Sequence, residues 1–100
     1  MKLVVIICVE ELSELARNLL KKTQVPAFSE TDIKGTRLIE ENVSDNWFAD
    51  KHALDNSRLF FTMCDDQKAE QLFKAVMECK ENNQNEHVHA LQLNIEKHLP

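Results

Sequence analysis

Glycine occurs once in this chain of 100 residues, tyrosine not at all, tryptophan once and proline twice. With Gly35 as the lone glycine, no glycine-rich turn is available to bring backbone N–H groups against a phosphate, so a phosphate loop is excluded as a motif. Basic residues are scarce as well: twelve Lys and Arg against seventeen Asp and Glu leave a formal net charge of −5. No basic patch is present, which argues against a nucleic-acid backbone as partner. The three cysteines, Cys8, Cys64 and Cys79, are odd in number, lack C-x-x-C spacing and lie in or beside apolar segments. That usage fits a reduced, cytoplasmic compartment. The opening run M-K-L-V-V-I-I-C-V is far too short to span a bilayer, and Glu10 and Glu11 follow it where a signal peptide would need a small-residue cleavage site. It reads as a buried strand, without direct membrane insertion.

What is present is a clear alternation of periods. Leu3 to Val9 is a continuous apolar run rich in Val and Ile, the pattern of a central strand covered on both faces. From Glu10 to Lys22 the period becomes helical: Leu12, Leu15, Ala16, Leu19 and Leu20 share a face, acids occupy the first turn, and Lys21 and Lys22 the last. Pro26 stops it. Ala27 to Lys34 alternates, with Ala27, Ser29, Thr31 and Ile33 on one side, and Gly35 ends the strand. Arg58 to Cys64 is a third strand. Asp65 or Asp66 then caps a second helix with an apolar stripe of Ala69, Leu72, Phe73 and Val76. Glu81 to Glu86 reads as a polar turn region, and His87 to Ile95 alternates as a last strand.

The order β-α-β, long segment, β-α-β predicts one domain over residues 1–100 with an α+β, ferredoxin-like βαββαβ sandwich: a four-stranded antiparallel sheet with both helices on one face. One hundred residues bury roughly 60–65% of the unfolded surface, so further burial by association would help. The first strand is apolar throughout, yet helices cover only one face of such a sheet. A neighbouring copy of the chain is the economical cover for the other.

The segment Thr36 to Asn56 is longer than most connections in compact domains, and connections of that length are functional or disordered. Trp47 and Phe48 lie in it, among polar residues. They fold back onto a core or serve as anchors for a protein partner, since aromatics supply much burial at low entropic cost.

M-K-L-V-V-I-I, an amphipathic helix, S-E-T-D-I-K-G, a long loop, a strand, a helix and a last strand carrying N-I-E-K together resemble the nitrogen-regulatory PII signalling proteins and their PII-like relatives. The resemblance covers nearly the whole chain in element order, and is closest in sequence at T-D-I-K-G and at the terminal I-E-K. The W-F-A stretch is similar to a PII-like subgroup associated with efflux-type membrane transporters. The resemblance implies a cytoplasmic homotrimer with its sheets facing one another, a small molecule or ion sensed at clefts between subunits, and a long T-loop, here residues 36–56, that docks a partner, a membrane transporter in that subgroup. It is not an enzyme on this reading. Carried over residue by residue, Ile7, Ser29, Gly35 and Thr36 match positions lining the family's adenine-nucleotide cleft, and His89 falls near its phosphate-contacting lysine. For Ser29 the need for a small side chain in sheet packing is the stronger account.

The departures are specific. The region between the second helix and the last strand, C-K-E-N-N-Q-N-E-H-V-H, has no glycine and no basic residue past Lys80 except its histidines, and K-H-L-P holds no arginine. Triphosphate binding of the usual PII kind is therefore unsupported. The absence of tyrosine excludes the covalent loop modification some PII proteins use. A second reading is a metal-binding trimer like the divalent-cation-tolerance CutA proteins, with His87 and His89 on one strand face as metal ligands; solvated histidines explain the same pair. As for an enzyme, Cys64 beside Asp65 and Asp66 sits where its pKa would rise, and no nucleophile–base pair is apparent.

Overall fold

The apolar N-terminal run forms β1, Lys2–Val9, and it takes the place such a run requires, the interior of a sheet with a strand on either side. This is a computed structural model, and it describes residues 1–36, 56–83 and 87–100. A single 3₁₀ turn, Glu10–Leu12, leads from β1 into α1, Ser13–Thr23. The remaining elements are β2 (Ser29–Ile33), β3 (Ser57–Cys64), α2 (Asp66–Asn83) and β4 (Val88–Asn94). The strand order is β2-β3-β1-β4, with every pairing antiparallel. This is the expected βαββαβ sandwich.

Alternation divides β1 cleanly. Val4, Ile6 and Cys8 face the helices and join Phe60, Cys64 and Val88 of the sheet to Ala16 and Leu20 of α1 and Ala69, Leu72 and Val76 of α2 in one core. Phe60 is wholly buried at its centre, with Phe28 tilted against it at 6.3 Å.

Several boundaries differ from those predicted, each for a local reason. The helix expected from Glu10 begins at Ser13, whose hydroxyl donates to the Glu10 carbonyl at 2.7 Å and closes the 3₁₀ turn. Its other end falls before Pro26 as expected, one residue past Lys22: Gln24 takes a left-handed conformation (φ 62°), and the Gln24 and Val25 N–H groups return to Lys21 and Leu20. β2 is shorter than Ala27 to Lys34. The Ala27 carbonyl is taken by the Thr62 hydroxyl at 2.6 Å, and Phe28 turns into the core. Of the two candidate caps for α2, Asp65 is the one: its Oδ1 accepts the Lys68 N–H at 2.7 Å. The helix then continues through Asn83, so Glu81 to Asn83 are helical where a turn was expected. Lys80 holds that last stretch to the sheet by donating from Nζ to the Val88 carbonyl at 2.7 Å.

Candidate functional site

The register places the odd-numbered residues of all four strands on the face away from the helices. Across that face run three rows in the order β2, β3, β1, β4: Thr31, Leu59, Ile7 and His89; then Ser29, Phe61, Val5 and Leu91; then, without β2, Met63, Leu3 and Leu93. A fourth row at the loop end brings Ile33, Ser57 and Val9 together. Phe61, Met63 and Leu93 remain 40%, 54% and 47% exposed. An apolar surface of this extent on one sheet face is the kind that marks an interaction site.

The sequence-predicted residues fall on this surface in two groups. Ile7 and His89 are direct partners across β1 and β4, with Ile7 buried and His89 half-buried. Ser29 is exposed on the same face but in the next row, two strands from Ile7, roughly 10 Å across the sheet, and three from His89. Gly35, half-buried, and Thr36, exposed, lie just beyond the end of β2 where the chain enters the long segment. Gly35 does not adopt positive φ, so its role there is not conformational. Trp47 and Phe48 lie outside the described residues. Sequence reasoning missed Thr31 and Leu59, which complete the Ile7 row, and Phe61 and Met63, its neighbours. The signal was the run L-F-F-T-M-C, apolar on both faces like β1.

His89 also borders a second feature. A cleft of about 200 Å³ between α2 and the outer edge of β4 is lined by Phe73, Val76, Met77, Lys80, His89 and Ala90. Its polar groups are few, and the Lys80 ammonium is already spent on Val88.

For metal chemistry, His87 immediately precedes β4 and His89 lies within it, and among the described residues no group of three His, Cys, Asp or Glu side chains converges. The cysteines are free thiols and buried. Burial pushes Cys8 up to about 11, against a smaller opposing effect from Arg58 and Arg17. Cys64 is also raised, first by burial and then by Asp65, so the acidic neighbour expected to dominate is the lesser cause. A buried thiol held protonated makes a poor nucleophile. Among the described residues no helix is long and apolar enough to cross a membrane.

Comparison with known proteins gives a fold and no sequence match. No family model and no curated protein matches the chain. Solved structures do. A PII-like signaling protein from Thermus thermophilus superposes with a TM-score of 0.61 at 16% identity, covering 94% of this chain and 85% of that one. CPII from Thiomonas intermedia, bound to ADP, AMP and acetate, gives 0.57 at 15% identity over 94% and 88%. The apo form of CPII, a nitrogen regulatory PII-like protein, gives 0.58 at 18% over 92% and 89%. The architecture of this chain is thus that of PII-like signalling proteins.

Proposed function

We propose that this chain is a PII-like regulatory protein acting as a homotrimer, its three open sheet faces turned toward one another. A small molecule binds at the clefts between copies, and residues 36–56 carry the signal to a protein partner through Trp47 and Phe48. The observation that carries the reading is the open face itself: rows of Leu, Val, Phe and Met side chains on β1, β3 and β4, among which Phe61, Met63 and Leu93 stay exposed with no described residue over them. The fold is shared with PII-like signalling proteins, and a closed ring of copies would cover such a face on every subunit.

Ile7, Ser29 and His89 share that face, and Gly35 and Thr36 stand where β2 passes into the long segment, so a ligand there would touch both the interface and the segment's entry. CPII is bound to ADP and AMP, which makes these the first ligands to try here. Fewer phosphates suit a chain without a glycine-rich cradle. The W-F-A resemblance points to a membrane transporter as partner, with the protein cytoplasmic and recruited to the membrane by it.

Light scattering on the eluting protein, followed by calorimetric titration with ADP and AMP, tests the reading. A mass three times 11.6 kDa with saturable heat supports it. A monomer at all concentrations removes the interface and the cleft together. A trimer that takes up neither nucleotide leaves the assembly and rejects the ligand class.

A further inference from the structure

Among the described residues β2 is an edge strand of five residues, bonded only to β3. It buries none of them, and only Ile33 is half-covered. The other edge strand, β4, is different: Val88 is buried in the core, and α2 is tied to it through Lys80. What β2 has instead is charge. On its helix-facing side Glu30 and Asp32 enter a continuous line of alternating ions that starts on α1. Arg17 donates from Nε and Nη2 to both oxygens of Glu30, at 3.0 to 3.3 Å, and from Nη1 to Glu14 at 3.2 Å. Arg58, opposite Asp32 in the ladder, meets Asp32 at 2.7 Å and lies 3.9 Å from Glu30.

Isolated exposed pairs contribute little, so what matters here is that the pairs join in one line and that its arginines are partly covered. The Arg17 and Arg58 side chains are only 25% and 21% exposed, and Glu30 33%. Arg17 also lies over the Phe60 ring, 5.9 Å from its centre, a second contact on the guanidinium that holds Glu30. The Arg17–Glu30 contact is the two-pronged kind that combines strength with geometric definition. Asp32, at 77%, is the weaker end, and it is the end nearest the long segment.

We infer that β2 is a releasable strand, clamped to the sheet by the Glu14–Arg17–Glu30–Arg58–Asp32 ladder rather than by an apolar face. Its other end is anchored differently, by Phe28 against Phe60 and by the Thr62 hydroxyl on the Ala27 carbonyl. Release therefore runs from Ile33 back toward a hinge at Ala27 and Phe28. Such a strand is a conformational device: it links α1 to the point where the chain enters residues 36–56, independently of whether the protein forms a trimer or binds a nucleotide.

Amide hydrogen exchange resolved by residue tests this. Raising sodium chloride from 0.1 to 1 M shortens the screening length from about 10 Å to about 3 Å. The β2 amides bonded to β3 are expected to exchange about tenfold faster in high salt, while those of β1 and α2 hold, because local openings report local stability. Arg58→Gln is expected to produce part of that acceleration in low salt and to shrink the salt response to the share carried by Arg17 and Glu30, whereas Arg58→Lys, which keeps the charge, retains more of it. Salt-insensitive β2 amides in the wild type would overturn the inference, and so would equal salt responses in wild type and Arg58→Gln. If the Gln variant does not fold, the wild-type salt series decides alone.

Discussion

At the scale of single residues, three positions carry measurable consequences. Gln24 occupies a left-handed conformation that costs a side-chain-bearing residue about 1 kcal/mol and costs glycine little. Gln24→Gly is therefore expected to stabilise the fold by about 0.5 kcal/mol, after the larger entropy loss of glycine, as read by urea melts. Thr62 is buried with its hydroxyl on the Ala27 carbonyl. Thr62→Val keeps the shape, leaves that carbonyl without its donor, and is expected to cost about 1–2 kcal/mol. Cys8 is held protonated to about 11 in the fold, above its ordinary value near 9.0. In the unfolded chain it ionises first, so between these values the unfolded state binds fewer protons and stability must fall as pH rises. Urea melts from pH 7.5 to 10.5 should show that fall, and Cys8→Val should flatten it; an unchanged slope in the variant would assign the effect elsewhere.

Among the elements, the two helices are secured more fully than the strand that leads into the long segment. α2 begins at a side-chain cap and ends on Lys80, and Asp65→Ala is expected to cost about 1 kcal/mol with the cap lost. The measurement is a thermal melt beside an Asp66→Ala control, whose side chain does not cap the helix. β2 has no buried face and is attached by ion pairs, and its alternation in the sequence overstated its length. Ala27 and Phe28 continue the period of two, but one spends its carbonyl on Thr62 and the other turns into the core. Periodicity records which residues can face the same way; the hydrogen-bond partners decide where pairing starts.

For the molecule as a whole, the open sheet face is an apolar surface on which Phe61, Met63 and Leu93 stay exposed. Phe61 sits in the middle of it, flanked by Val5 and Leu59. Phe61→Lys places a charge there while leaving the core on the opposite side of β3 untouched. The expected outcome is a monomer with the wild-type circular dichroism spectrum in sedimentation velocity, against a trimer for the unaltered chain, since burying an unpaired charge at an interface is costly. Wild-type assembly of the variant would show that copies meet elsewhere. Replacing Trp47 and Phe48 together by alanine makes the complementary test: the trimer should persist and capture of the partner should be lost.

The amino-acid sequence by itself determined the element order, the placement of β1 at the centre, the core face of α1 and most of that of α2, and the apolar character of β1 on the second sheet face. These follow from local periods, a continuous apolar run and short-range capping, all of which neighbouring residues specify. It also supplied the likeness to PII proteins that the fold of the solved structures matches. Only the tertiary structure decided that Ile7 and His89 are cross-strand partners while Ser29 stands two strands off, that Thr31 and Leu59 complete the row, and that Arg17 reaches Glu30. Such relations depend on strand register and on which side chains from distant segments meet. A period of two leaves register open, because shifting a strand by two residues preserves every face and changes every neighbour.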